Sequence, residues 1–398
     1  MKRLFVGAFS LLLTLSLFGC GGVAQKLEET IPQGAATEEE IAHLEQLYAG
    51  RTALHGDLHD HAAGENSDGK YSLSQWKEMM TDKKDMDFAA IVNHRQLVHM
   101  RQPEWDEQYF IGGSEPGTYI LLSDMSDACS QAEFDYSMLI TDADAFEKIL
   151  SAFPGFSYKD GFFKSYGINS REEFCRVVEA VQQAGGFVSL VHPLGYEAFI
   201  SKDPLDYWFR DNTGFEVLNG LLGNADATEN RLARDCWVKL LNAGKRVFAT
   251  AGSDSHQLSN TETLTTVYSP AKNAKDILSV IRTGDFTAGP VGIRMCIGDT
   301  VTGGVGSFEE QKLTVAVGDT HSQQLRELNK YRLEIYTDKG LAFRQELSRF
   351  PETEYVTVTV DPDCRYYRAE LFDITAGYTV AIGNPIWNEA LYTGEVIQ

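Results

Sequence analysis

Nine histidines are spread over 398 residues, and five of them stand directly after short apolar runs or at the ends of such runs. Two are His59 and His61 in His55-Gly-Asp-Leu-His-Asp-His61, and the others are His94 after Phe88-Ala-Ala-Ile-Val92, His192 after Phe187-Val-Ser-Leu-Val191, and His256 in Gly252-Ser-Asp-Ser-His256. On an extended strand residues i and i+2 project to one face, so His59 and His61 point at a common target, and Asp254 and His256 repeat the spacing. Imidazoles mixed with carboxylates hold borderline divalent ions, and zinc, manganese and iron all suit such a set. Two ions roughly 3.5 to 4 Å apart bridge a water, lower its pKa toward about 7 and stabilise both oxygens of an in-line displacement. That metal-bridged hydroxide makes a side-chain nucleophile unnecessary, and the chain carries no Gly-x-Ser-x-Gly elbow.

Elements that place these residues follow from periodicity. Apolar runs predict strands near Leu54–His59, Asp87–Asn93, Tyr119–Leu122, Phe187–Val191, Phe215–Leu218 and Arg246–Ala251. Helices are expected near Leu73–Lys83, Ala143–Ala152, Arg171–Ala184, Ala227–Ala243 and Ala274–Arg282, with Gly185-Gly186 and Gly244 as stops. Thr37-Glu-Glu-Glu40 has the form of a capping box that opens a helix through Ile41, Leu44 and Leu47. Strands alternating with helices favour a barrel or an open parallel sheet, whose chemistry sits at the strand ends. Beyond Gly289 short alternating runs separated by turn residues replace this pattern, which suggests a small antiparallel β domain.

Taken in order, His59-x-His61, Ser67-Asp68-Gly69, Val92-Asn93-His94, Gly113-Ser-Glu115, Val191-His192-Pro193 and Gly252-Ser-Asp-Ser-His256 closely resemble the polymerase and histidinol phosphatase (PHP) superfamily of metal-dependent phosphoesterases. The likeness covers about residues 52 to 288. It implies an α/β fold, a distorted (β/α)7 TIM-like barrel, with two or three divalent ions at the C-terminal strand ends. By the same resemblance His59, His61, a bridging Glu115 and Asp254 would hold one ion, Glu115 and His192 a second, and Asp68, His94 and His256 a third. Asp254, His256 and Glu115 would act in catalysis through the metal-bound water.

Two departures from the family pattern stand out. Asn93 replaces the usual aspartate before a ligand histidine, and no histidine occurs between His99 and His192 to complete the second site. Asp135 is the substitute considered there, with a solvated loop aspartate as the alternative. Glu115 is preferred to Asp124 as the bridging carboxylate. Asp57 is read as orienting a ligand histidine, and His55 as structural. Arg95, with His99 and Arg101, is the candidate phosphate contact, the alternative being a surface ion-pair segment with Glu104, Asp106 and Glu107. Trp105, Tyr109 and Phe110 either line a pocket mouth or simply pack.

Composition sets the remaining bounds. A hydrophobic content of 43% supports a large core, and a net charge of -22 argues against nucleic acid as a docking partner. Met1-Lys2-Arg3, the apolar stretch Leu4 to Phe18 and Gly19-Cys20 follow the order of a secretory signal. Leu17-Phe-Gly-Cys20 resembles the lipobox of bacterial lipoproteins, which implies residues 1–20 as signal, 21–36 as tether, and an exported chain held at the membrane by a lipid on Cys20. The metallohydrolase domain is then 37–288 and the C-terminal β-sandwich-like domain 289–398. Five further cysteines lack Cys-x-x-Cys spacing, which reads as free thiols for most of them, with a single disulfide as the alternative, rather than a disulfide framework or a zinc-thiolate site. The C-terminal Asn384-Pro-Ile386 and the arginine-bearing run Tyr366-Tyr-Arg-Ala-Glu-Leu-Phe372 resemble a β-rich tail found on some secreted PHP-type hydrolases. The functional expectation is hydrolysis of a small phosphomonoester or phosphodiester, with no protein partner. A carboxyl-ester, amide or carbamate hydrolase and a catalytically degenerate ligand-binding lipoprotein are the alternatives.

Overall fold

The computed structural model describes residues 34–64, 67–83, 86–94, 97–115, 117–121, 131–153, 165–168, 171–193, 210–220, 226–258, 263–320, 325 and 329–394. The signal-like segment with Cys20, and Arg95, Asp124 and Cys129, lie outside these residues.

Seven strands form a ring: β1 (Thr52–Asp60), β2 (Phe88–Ile91), β3 (Phe110–Ser114), β4 (Gln131–Leu139), β5 (Phe187–Leu190), β6 (Thr213–Asn219) and β7 (Val247–Gly252). Neighbours run parallel from β1 to β3 and from β5 to β7. The architecture is mixed α/β, with a sheet curled in the manner of a TIM-like barrel. It departs from a regular (β/α)7 repeat because β4 runs antiparallel to both β3 and β5. The strand expected near Tyr119–Leu122 is observed as Gly117–Leu121, but it forms a hairpin with the first half of β4 and leaves β3 and β4 as the ring members. Runs such as Phe88-Ala-Ala-Ile91 and Phe187-Val-Ser-Leu190 are buried throughout, as strands covered on both faces must be.

Helices α1 (Glu38–Leu47), α2 (Leu73–Glu78), α3 (Ala143–Ala152), α4 (Arg171–Gln183), α5 (Asp226–Asn242) and α6 (Ala274–Ile281) accompany the strands. The capping box is present, because the Thr37 side chain accepts from the Glu40 amide while the Glu40 carboxylate accepts from the Thr37 amide. On α4 the helical spacing of Phe174, Val177, Val178 and Val181 gives one buried stripe, each side chain contributing about 1.5–3 kcal/mol of burial. Gly185 and Gly244 have φ of +83° and +81° just past α4 and α5, the left-handed conformation in which a helix stops at little cost on glycine. Among the described residues no helix is long and apolar enough to cross a membrane.

The sheet continues past the ring. Strand β8 (Thr265–Ser269) pairs with the first half of β1 and with β9 (Phe286–Ala288). After β10 (Val291–Ile297), β11 (Lys312–Thr320), β12 (Tyr331–Thr337), β13 (Gly340–Glu346), β14 (Glu354–Thr359) and β15 (Tyr366–Asp373), strand β16 (Tyr378–Gly383) pairs back onto β9. One ladder therefore runs from β1 through β8, β9 and β16 to β15, β12 and β13. A second antiparallel sheet of β10, β11 and β14 packs through Leu313, Val315, Val317, Val356 and Val358 into the same apolar cluster as the barrel helices. Asn384 explains its place in the Asn-Pro-Ile motif: its Oδ1 accepts from the Ala249 amide of β7 at 2.7 Å and its Nδ2 donates to the Phe286 carbonyl at 3.3 Å. Cys175, Cys296 and Cys364 are free thiols.

Candidate metal centre

Ladder bonds continue past the ends of β1, β2 and β3 and level the site. The Val92 amide donates to the Asp60 carbonyl and the Glu115 amide to the Val92 carbonyl, both at 2.9 Å, so His61, His94 and Glu115 emerge side by side. Opposite them, Val191 bonds to the Asp135 carbonyl and delivers His192. Ser255 exchanges backbone hydrogen bonds with His59 and His61 and delivers Asp254 and His256. Asp68 arrives on a loop tied down by the Lys70 amide, which donates to the His256 carbonyl at 3.1 Å. His192 and Asp254 both have positive φ, +27° and +51°, an unfavourable backbone for non-glycine residues that clusters at functional sites.

Two groups of four donors result, His59, Glu115, His192 and Asp254 in one and His61, Asp68, His94 and His256 in the other, with the ligating atoms of each group within 4.8 Å of one another. This differs from the three-ion allocation, because His61 falls in the second group and His192 in the first. His61 stands at the boundary, its Nε2 being 3.1 Å from Glu115 Oε2 and 3.2 Å from Asp254 Oδ1. Glu115 is buried and within reach of four histidines: His59 at 3.4 Å, His61 at 3.1 Å, His94 at 3.3 Å and His192 at 2.9 Å. Asp68 Oδ1 lies 3.3 Å from His94 Nε2 and 3.0 Å from His256 Nε2. Asp135 belongs to neither group, though its Oδ2 is 3.9 Å from His192 Nε2.

The donor set fits divalent ions. His59 Nε2, His61 Nε2 and Glu115 Oε2 are buried without a hydrogen-bond partner, an expensive arrangement unless a cation takes their lone pairs. Donors that share one ion at roughly 2.0–2.2 Å stand about 3.0–3.6 Å apart, which is the spacing seen between these imidazoles and carboxylates. Electrostatics agree. Burial pulls His59 toward the neutral form, but Glu115, Asp254 and Glu216 together hold its pKa well above the ordinary value. Burial likewise opposes His192, yet the hydrogen bond to Glu115 carries it up to about 9. Hydrogen bonds from His256 and His94 hold Asp68 well below the usual carboxylate range.

Supporting residues differ in part from expectation. Asp57 does not orient an imidazole. Its Oδ1 accepts the His59 and Ser253 amides at 2.9 and 3.0 Å, and burial pushes its carboxyl up to about 7. The ring of His59 is held instead by Glu216, which the sequence reading missed: Oε1 lies 3.3 Å from His59 Nδ1, while Oε2 accepts from the His192 amide at 2.7 Å and Asn219 Nδ2 at 2.8 Å. Its signal was a lone acid inside the buried run Phe215-Glu-Val-Leu218. Asn93 accepts from the Ala62 amide at 2.8 Å. His55 faces Thr266, outside both groups.

Of the proposed anion contacts, Arg95 lies outside the described residues, and His99 and Arg101 belong to neither donor group. His99 is buried against Trp105, and burial lowers its pKa to about 4, so it carries no charge near neutrality. Arg101 pairs with Asp144 and Glu147 at the surface rather than with Glu104, Asp106 or Glu107. Trp105 packs on Phe110, and the Tyr109 ring receives Lys77 and Lys272.

No family model matches the chain, and no curated protein matches it. Among solved structures it is similar to the lesion-specific endonuclease PfuEndoQ from Pyrococcus furiosus, with a TM-score of 0.36, 11% identity, and coverage of 58% of this chain and 56% of that one. The chain thus spans little more than half the length of that protein. A likeness this weak carries no functional weight, so the reading of function rests on the geometry of the site.

Proposed function

We propose that the chain is a metal-dependent phosphoesterase of the PHP type, acting on a small phosphomonoester or phosphodiester. One observation carries the reading: His59 Nε2, His61 Nε2 and Glu115 Oε2, buried without a hydrogen bond, converge at ligand spacing at the strand ends, within two adjoining donor groups. When bound, a pair of divalent ions would supply Lewis acidity and an activated water for in-line displacement at phosphorus. The chain's own residues build the frame for this. Glu115, within reach of His59, His61, His94 and His192, joins the two groups. Glu216 fixes the tautomer of His59 by receiving Nδ1–H, which leaves Nε2 free to ligate. Asp57 holds the backbone of His59 and Ser253 together and so sets the distance between β1 and the Asp254 loop.

The test is metal analysis of the purified full chain, followed by stripping, reconstitution with zinc, manganese or iron, and a panel of phosphomonoesters, phosphodiesters and carboxyl esters. Phosphate-ester turnover that requires metal is expected, and His59→Ala and Asp254→Ala should lose both bound metal and turnover. Undiminished turnover in stripped protein, or cleavage of carboxyl esters alone, refutes the proposal.

A further inference from the structure

A cavity of about 270 Å³, lined by none of the proposed metal ligands, lies between α5 and the β15–β16 hairpin. Thr228, Arg231 and Arg234 are spaced three residues apart on α5 and so share one helix face, which forms one wall. Phe372, Thr379 and Ile382 contribute to the facing wall. Arg231 and Arg234 are its only charged lining residues among those described.

The two arginines are differently committed. Arg234 is three-quarters buried; its Nη1 donates to Glu370 Oε2 at 3.1 Å and Thr379 Oγ1 at 3.3 Å, and its Nη2 to Asp235 at 3.1 Å. These bonds anchor the guanidinium and leave part of its five-donor fork unused among the described residues. Arg231 is 58% exposed, with Asp235 3.6 Å away as its ion pair. The fully buried Glu370 is neutralised from its other side by Arg368, so Arg234 is not its sole counter-ion. The cavity therefore has a positive rim on a strongly acidic chain, over an interior to which Phe372 and Ile382 contribute apolar surface.

We infer that this cavity binds a small organic carboxylate with a compact apolar body. The carboxylate lies against the Arg231–Arg234 face, where planar guanidinium donors match it, and the body fills the space beside Phe372 and Ile382. This inference is independent of the function proposed for the metal centre.

Benzoate is the probe, and benzamide is its uncharged counterpart of the same shape. Titration of the full chain by calorimetry and saturation-transfer NMR should show saturable benzoate binding, with benzamide at least about tenfold weaker, since hydrogen bonds to a charged group are the stronger kind. Arg231→Glu reverses a largely exposed charge and should weaken benzoate at least about tenfold, with thermal unfolding unchanged. Thr228→Glu places a negative charge on the same face and should do likewise, which covers the case that the first variant folds poorly. Metal-stripped chain should bind benzoate as the loaded chain does, which separates this cavity from the metal centre. Absence of saturable binding, equal affinity for benzamide, wild-type affinity in folded variants, or loss of binding on metal removal overturns the inference.

Discussion

Replacing Glu216 by Gln changes one atom and should cost about 10- to 100-fold in metal affinity, or roughly 1.4–2.7 kcal/mol. Both carboxylate oxygens of Glu216 accept, one facing His59 Nδ1 and the other facing the His192 amide and Asn219 Nδ2. A glutamine of the same shape cannot serve both sides. With its carbonyl toward His59, the NH2 group confronts two donors, and the His192 amide loses its 2.7 Å acceptor. With its NH2 toward His59, Nδ1 becomes the acceptor, the ring proton moves to Nε2, and Nε2 ceases to be a ligand. Either orientation damages a member of the His59, Glu115, His192 and Asp254 group while keeping the side-chain volume. The assay is calorimetric titration of stripped wild type and E216Q with zinc and manganese, with circular dichroism to show that the fold persists. Affinity within twofold of wild type at unchanged stoichiometry would refute the role assigned to Glu216.

Proton competition gives a second prediction. The His192 pKa is raised from 6.5 to about 9 in the metal-free fold, so this proton stabilises that fold fully below about pH 6.5 and the contribution is lost as pH rises through 9. Metal needs the neutral ring, so affinity should climb from pH 6.5 to 9 with net proton release, read by calorimetry in buffers of different ionisation enthalpy; binding with no proton release contradicts it. Asn384→Ala leaves the Ala249 amide and the Phe286 carbonyl buried without this partner, at about 1–3 kcal/mol each, so urea unfolding should show a loss of at least about 2 kcal/mol; a loss under 0.5 kcal/mol would refute the clamp. Metal removal should speed hydrogen exchange first at the His61, Ser253 and Ser255 amides, and uniform or unchanged exchange there would separate the site from barrel closure.

Local signals were legible where one stretch of chain carries both the element and its function. The apolar runs before His94, His192 and Gly252 gave β2, β5 and β7, and Ala143–Ala152 is a helix over its whole predicted length. Strands β3 and β4 were hidden for physical reasons. Phe110-Ile-Gly-Gly-Ser114 offers only two large apolar side chains, and close packing demands its second glycine, since a Cβ at Gly113 would come within 2.8 Å of the Met138 carbonyl oxygen and 2.9 Å of Val92. Strand β4 carries Asp135 and Ser137, which are buried although polar, so its pattern does not read as a core strand. Pairings across the ring were the other blind spot. Nothing in the order of residues brings Glu216 to His59, 157 positions away, or Arg101 to Asp144, whereas the strand parity that Asp57 shares with His59 pointed to the wrong orienting acid.

Closure of the ring explains why the two histidine strings belong together. Strand β8 occupies the outer edge of β1 from Thr52 to Gly56, so β7 cannot form an ordinary ladder there. It meets β1 only at the far end, where the His61 amide donates to the Ser255 carbonyl at 2.9 Å, the Ser255 amide to the His59 carbonyl at 3.3 Å, and the Ser253 amide to Asp57 at 3.0 Å. Gly252 is required for that approach, because a Cβ would come within 2.5 Å of the His59 Cβ and 2.6 Å of Glu216. The seam of the barrel and the candidate metal centre are thus built from the same few residues. A cation held by His59, Glu115, His192 and Asp254 would tie the ends of β1, β3, β5 and β7 across that seam. Its binding free energy would then add to barrel closure, by about 2.7 kcal/mol at a hundredfold excess over Kd. The buried, unpartnered donors that mark the site are therefore also the weak point of the metal-free fold, and one pair of sequence strings specifies both.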